Sequence, residues 1–501
     1  MFLAEYFVQI AVALAMLMMI WDCFEVGRND AANLVNAVFG ARVMKRKKAV
    51  LIAGAFVILG ATFSSPVMDT VRKGIFDPEV LTISSVIAIF LSAYIVDTVL
   101  LYIFSAYGMP VSTTATLIFC LTGGAIGVSE GLSIVSWATL GKVLIAIILS
   151  IITSGIAGFL IQRIVRGALG RKNSTLKILL HGPWVAGGMI TGLLWFMVMK
   201  GLKGVSVVKA FRKEVFDVYG ESFLLLCIWA TLSVLIFVIL RTWLKNREYL
   251  LFHFTAMLGM ICMAFAFGQN DLANAASPGL ASFFIWQQDG MAGSVDIPRW
   301  ALFGCGVLIF LGMTTKNAQR VTRAEVNVGS QHDKVALYAP RWALVVARFW
   351  VGKKGQQSEV LAPEPSRDDR NKKVHYDPIR ASVILAVCAS VIAFASGMGL
   401  PVSTTYVAFA AVVASGWGDR VFSGGDGDIK IARAIWVVCC WFLGGLLALV
   451  CCMLVAAVIN NLQVIGIAIA LGANFFLRYL YKKKADLHDD IFHKQKQRVE
   501  V

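Results

Sequence analysis

Two short patterns in the chain bring together residue types that bind ions without a bond-breaking step. The first is Asn29-Asp30-Ala31-Ala32-Asn33, repeated as Asn270-Asp271-Leu272-Ala273-Asn274. In each copy the Asp and the second Asn are three apart and share one helical face. Carboxylate and amide oxygens are also the hard ligands that small cations prefer. The second pattern is Pro110-Val111-Ser112-Thr113-Thr114, repeated as Pro401-Val402-Ser403-Thr404-Thr405. Proline has no amide donor and a fixed φ, which suits the start of a short helix. A helix start presents converging N–H groups and about half a positive charge, so it can hold an oxyanion without lysine or arginine. Each pattern also has a purely structural reading. The Asp can cap its own helix beside Gly27 or Gly268, and the hydroxyls can satisfy the backbone of a proline-kinked helix. Recurrence of both patterns at matched positions favours ligand binding.

The elements that must position these residues are membrane helices. Of 501 residues, 58% are hydrophobic and 15% charged, and the mean hydropathy is +0.74. Soluble domains carry about 25% charged residues, so an ordinary soluble enzyme is excluded. The chain reads as an all-α polytopic membrane protein of about 11 to 12 transmembrane helices. Apolar segments that could span lie near 2–26, 49–67, 81–107, 132–162, 180–202, 221–240, 251–267, 300–315, 379–399, 432–458 and 462–481. Between them the pieces 27–44, 108–128, 268–287 and 397–417 are short or interrupted and read as broken or re-entrant segments lining a site. A carboxylate at such depth costs at least ~2.5 kcal/mol and normally marks an ion or substrate path, which singles out Asp30 and Asp271.

The four pieces form two matched pairs, so the chain is an internal duplication. From Asp30 to Pro110 is 80 residues and from Asp271 to Pro401 is 130. The polar stretch 316–380 can hold the difference. Charge sets the relative orientation of the copies. Arg42, Lys45, Arg46, Lys47 and Lys48 follow the first Asn-Asp motif without an acid, whereas 283–299 carries Asp289 and Asp296 against Arg299. One crossing later the bias reverses. Residues 68–80 hold Asp69, Asp77 and Glu79 against Arg72 and Lys73, while 316–380 hold thirteen Lys and Arg. The copies are therefore expected upside down relative to each other, as in secondary transporters that bind substrate at the repeat interface. The expected organisation is a first inverted repeat over 1–178, connecting transmembrane helices over 179–250, and the first part of the second repeat over 251–315. A polar cytoplasmic loop over 316–380, the second part of that repeat over 381–481 and a basic cytoplasmic tail over 482–501 complete it.

The net charge of +16 falls in clusters between apolar runs, so topology and anionic headgroups of the lipid bilayer account for it, and no nucleic acid is expected. The ten cysteines lie in apolar stretches without metal-ligand spacing and read as small core residues. The apolar run 2–20 lacks a basic segment ahead of it and reads as a retained helix. Asp97 could join a proton path or bond a neighbouring helix. Asp22 and Glu25 read as vestibule residues or partners of Arg28. Because Gln269 stands where Arg28 does in the other copy, Arg28 is not expected to be a symmetric ligand. Ala362-Pro363-Glu364-Pro365-Ser366 reads as part of a solvated cytoplasmic segment.

With both motifs present twice, the chain resembles the inorganic phosphate transporter family of cation-coupled symporters, and 312–329 also resembles that family's segment ahead of its polar loop. The resemblance implies that Asp30, Asn33, Ser112, Thr113, Thr114, Asp271, Asn274, Ser403, Thr404 and Thr405 bind the oxyanion. It likewise implies that Asn29, Asp30, Asn33, Asn270, Asp271 and Asn274 bind the coupling cation, with Na⁺ at Asp30 and Asp271. The chain departs from the family where His usually follows the Ser-Thr run. Ala115 and Tyr406 stand there, and the first Asn-Asp motif continues as Leu34-Val35-Asn36-Ala37 where smaller residues are commoner.

These readings converge on secondary active transport, the symport of inorganic phosphate with Na⁺ or H⁺ by alternating access. The alternative is a sulfate or other inorganic oxyanion permease of the same fold, and further off a passive anion channel. Phosphate retains a proton near neutral pH that an ionised Asp can accept, whereas sulfate has none, so two Asp residues lean towards phosphate. Inward movement of a divalent anion against the membrane potential costs ~2.3 kcal/mol per charge per 100 mV, so at least two cations must accompany it. No histidine lies in a motif, so coupling rests on the carboxylates. An intramembrane aspartyl protease would need Asp30 and Asp271 as a dyad, but the Gly-Arg-Asn-Asp and Gly-Gln-Asn-Asp contexts do not match one. No enzyme activity and no cofactor are expected. A homodimer is compatible with the reading, and a bacterial inner membrane is the expected location.

Overall fold

A computed structural model describes residues 6–64, 75–129, 131–170, 174–203, 205–288, 297–332, 335, 337–351, 374–423 and 425–500. The chain enters as a long helix, α1 (Phe7–Gly40), and returns as α2 (Arg46–Ala61). Then come α3 (Ile83–Ala106), α4 (Thr113–Ser129) and α5 (Trp137–Leu169). The connecting pair is α6 (Thr175–Trp195), prolonged by a wider turn over Phe196–Gly201, and α7 (Glu221–Thr242). The second set is α8 (Leu250–Gln287), α9 (Arg299–Met313), α10 (Lys316–Val328), α11 (Arg341–Val351), α12 (Pro378–Gly397), α13 (Thr404–Gly418) and α14 (Gly427–Glu500).

Among the described residues, eight helices are long and apolar enough to cross a membrane, or nine if α9 and α10, bent by 68°, form one span. Every apolar segment expected to span is occupied by a helix. α14 takes in two of them and turns at Gln463, whose φ of 48° and ψ of −122° interrupt the helix. Apolar side chains of α5 and α7 stand exposed over most of their length, a surface suited to lipid.

Two expectations differ from the structure. The pieces 27–44 and 268–287 do not break, because α1 and α8 run straight through their Asn-Asp motifs. The breaks occur at Pro110 and Pro401 instead, where extended backbone precedes α4 and α13. Gly108 (φ 64°) and Gly399 (φ 73°) make the turns into those extended stretches, a conformation open to glycine without a Cβ clash. The ends of the polar stretch 316–380 are also ordered. α10 buries Ala318, Val321, Thr322, Glu325, Val326 and Val328, a spacing that gives one covered and one polar face. The acids and bases Asp69, Arg72, Lys73, Asp289 and Asp296, and the run Ala362 to Ser366, lie outside the described residues.

Helix contacts are reciprocal between the copies. α1 packs on α9 and α8 packs on α2; α1 packs on α3 and α8 on α12; α5 packs on α13 and α14 on α4. A twofold relation produces such exchange. The closest approaches repeat it: a Cβ on Gly27 would strike the carbonyl of Ile309, and one on Gly268 the carbonyl of Val57. The two Asn-Asp helices, α1 and α8, pack directly against each other.

A charged cluster joins the first copy's α5 to the second copy's α12 and α13. Arg166 on α5 lies 2.6 Å from Asp377, the residue that caps α12, and 2.8 Å from Asp419 at the end of α13. Gln162 donates to Asp419 at 2.9 Å and Gln331 donates to Asp377 at 3.1 Å. Nearby, fully buried Arg380 donates to the carbonyls of Gly329 and Val412 and to Ser415. Two arginines thus balance two carboxylates, the condition for keeping four charges out of water.

Candidate functional site

The extended Pro-Val segments are clamped by asparagine. The Asn29 amide oxygen accepts from Val111 N at 3.3 Å and the Asn270 oxygen from Val402 N at 3.1 Å. Their amide nitrogens donate to Ser105 and to the Val402 carbonyl. Both polar atoms of each side chain are engaged, so Asn29 and Asn270 hold the half-helices in place. Ser112 and Ser403 then cap the half-helices, accepting from Ala115 N at 3.0 Å and Tyr406 N at 3.1 Å. The other first-turn N–H groups of α4 and α13 have no partner within their helix.

The threonines cross between the copies. Thr405 donates to Asp30 at 2.8 Å and lies 3.2 Å from the Val111 carbonyl, while its oxygen accepts from Asn33 at 3.0 Å. Thr114 mirrors it, donating to the Val402 carbonyl at 2.9 Å and accepting from Asn274 at 2.7 Å. Thr113 donates to Asp271 at 3.0 Å and also stands beside Asp30, so the two carboxylates flank one hydroxyl. Thr404 stands beside Asp271.

All twelve residues expected at the site are buried and meet at the junction of α1, α8, α4 and α13. Asp30, Asn33, Asp271 and Asn274 each keep one buried oxygen without a hydrogen-bond donor: Oδ2 of both aspartates and Oδ1 of both asparagines. Such atoms are costly in a folded interior unless a ligand meets them. Among the described residues, none of the hydrogen bonds to these four or to the four threonines comes from Lys or Arg. The arrangement sets two helix starts, which attract an anion, against two carboxylates, which attract cations.

Three further residues border the site without having been singled out as ligands. Asn36, one turn beyond Asn33, donates to Glu325 of α10 at 2.7 Å, and both are buried. Glu325 is near enough to act on Asp30. Tyr406, which follows the second Ser-Thr-Thr run, stacks on Trp441 at 3.9 Å, and its hydroxyl reaches Ser112. The sequence signal for Asn36 was its helical spacing from Asn33. For Glu325 it was an acid on the apolar face of α10.

Outside the site, Glu25 does pair with Arg28, at 2.9 Å, and also with Arg478 of α14, at 2.7 Å. Trp21 donates to the same carboxylate. Asp22 takes neither arginine. It faces Asp97 of α3 instead.

A model described as "Phosphate transporter family" matches residues 26–325. A Pyrococcus furiosus protein named "Putative phosphate permease" is 33% identical over 304 residues, 58% of this chain and 70% of the relative. A Thermococcus kodakarensis protein of the same description is 28% identical over 400 residues, 78% of this chain and 84% of the relative. Among solved structures, one titled "The sodium-dependent phosphate transporter" superposes with a TM-score of 0.66 at 21% identity, covering 90% of this chain and 98% of that one.

Proposed function

The chain belongs to the phosphate transporter family, and on that premise we propose that it carries inorganic phosphate across the membrane together with Na⁺, by alternating access about the junction of the two copies. The observation that carries the reading is the set of buried, unpartnered oxygens of Asp30, Asn33, Asp271 and Asn274 beside the capped starts of α4 and α13. Phosphate takes first-turn N–H groups of α4 and α13 and the Thr404 hydroxyl, whose oxygen has no partner, with the hydroxyls of Thr113, Thr114 and Thr405 turning to it from the oxygens they meet without it, and with Ser112 and Ser403 setting the helix starts. A cation at each Asp-x-x-Asn pair sits beside one carboxylate, and the two together supply the two positive charges that inward movement of a divalent anion needs. The sodium dependence named for the structurally similar transporter supports Na⁺ as that cation. Basic residues after α1 support a cytoplasmic position for 41–48, and the prokaryotic relatives support a cell membrane.

The test is accumulation of labelled phosphate in proteoliposomes under an imposed Na⁺ gradient, with labelled sulfate alongside. Phosphate accumulation that needs Na⁺ and is abolished by Asp271→Asn is the expected result. Sulfate taken up in preference, or conduction that survives Asp30→Asn and Asp271→Asn without any gradient dependence, would overturn the reading in favour of a sulfate permease or an anion channel.

A further inference from the structure

The two motifs of the candidate site occur twice, but one pair of buried acids occurs once. Asp22 on α1 and Asp97 on α3 are each 1% exposed, and their carboxyl groups stand within hydrogen-bonding reach of each other. Each keeps one oxygen, Oδ1, with no donor. The second copy crosses the same two helices with the same register. Gly27 corresponds to Gly268 and Gly108 to Gly399, which puts Met263 and Cys388 where Asp22 and Asp97 stand, and both are buried. Thr116 of α4 lies beside Asp97, and in the second copy Cys388 lies beside Val407, the matching residue of α13. The crossing therefore folds with an apolar pair, and the fold itself does not require the acids.

The surroundings show what the pair lacks. Arg478 is nearby but is held by Glu25 and by the Thr98 carbonyl. Arg28 is likewise spent on Glu25. Other titratable groups facing the pair are Cys23 and Glu25 on α1, Tyr94 on α3 and Cys120 on α4. Tyr94 donates to the Ala275 carbonyl, and none of the others is a cation. Two facing carboxylates in a dry interior cannot both ionise without a positive charge between them.

We propose that Asp22 and Asp97 bind one proton between them and form a proton site separate from the phosphate site. One carboxyl donates its O–H to the other, ionised carboxylate, and the proton exchanges with the aqueous phase. The link to the transport site is short. Thr116, beside Asp97, donates to the carbonyls of Ser112 and Thr113 at 3.0 Å each, at the start of α4. Loss of the proton leaves two like charges between α1 and α3 and loosens the seam that seats that half-helix.

Infrared spectroscopy of the purified protein tests the site without reference to transport. The wild type should show a protonated-carboxyl band near neutral pH that disappears in Asp22→Asn and in Asp97→Asn alike. The double variant Asp22→Met/Asp97→Cys, which copies the apolar pair of the second copy, should also lack it while remaining folded. In proteoliposomes under a fixed Na⁺ gradient, wild-type phosphate uptake should fall as the pH rises, and the double variant should lose that dependence. A band unchanged in all three variants overturns the proposal. So does a drop in the Na⁺ dependence of uptake in the double variant with the pH profile intact, which would assign the pair to Na⁺. Absence of uptake by the wild type would count against phosphate transport and leave the infrared result to decide the proton site.

Discussion

Thr114 and Thr405 do the same work from opposite copies. Each hydroxyl joins its own half-helix to the other copy's asparagine and to the other copy's extended segment. Valine at either position keeps the shape and removes the hydroxyl, leaving buried groups unpaired at about 1 to 3 kcal/mol. Thr114→Val and Thr405→Val should each lower phosphate uptake strongly, whereas the serine variants, which keep the hydroxyl, should retain most of it. Thr405→Val should be the more damaging because it also removes a donor from Asp30. Initial rates of labelled phosphate uptake check both points. These residues were legible in the sequence because they recur in register with a second recurring motif. Asn36 and Glu325 were not paired in it, being 289 positions apart until α10 folds against α1.

At the scale of elements, the proline motifs were read correctly as breaks and the Asn-Asp motifs were not. Proline enforces its break locally, by a missing donor and a fixed φ. The glycine beside each Asn-Asp motif has a different cause, visible only across helices: it lets α1 touch α9 and α8 touch α2. Gly27→Ala and Gly268→Ala should therefore each destabilise the protein, by about 1 to 3 kcal/mol or more, because the obstacle is backbone. Gly304→Ala, in α9 with open space around it, should be neutral. Melting temperatures in detergent separate the two cases. The Arg166 cluster was likewise invisible in sequence, since its members come from α5, the stretch after α10, the start of α12 and the end of α13. Burial opposes ionisation of Asp377, but Arg166, the Arg380 amide and Gln331 outweigh it and hold its carboxyl below the ordinary range. Stability from this group is then full above the ordinary Asp pKa of about 3.9 and is lost as pH falls through the lower folded value. Arg166→Ala should cost about 3 to 5 kcal/mol at neutral pH. Asp377→Asn should also be less stable there, and its melting temperature should fall less than the wild type's on acidification.

For the whole molecule, α1 packs on α9 and α8 on α2, and α5 packs on α13 and α14 on α4, an exchange that puts the junction proposed to bind the ions between the two copies. A site so placed can be opened to either side by equivalent movements of the two copies, provided that the copies are inverted in the membrane. The sequence indicated this inversion through charge bias at loop positions, and the turns after α1 and after α8 are where it can be measured. Lys47, in the first turn of α2, and Gln288, just past α8, are exposed beside those two turns. Cys227 is the one exposed cysteine among the ten, so a Cys227→Ser background keeps labelling at the new positions readable. In that background Lys47→Cys should react with a membrane-impermeant maleimide only from the cytoplasmic face, and Gln288→Cys only from the opposite face. Labelling of both from one side would mean that the copies are parallel. Equivalent movements would then open both halves towards the same face, and alternating access by exchange of the two copies would fail.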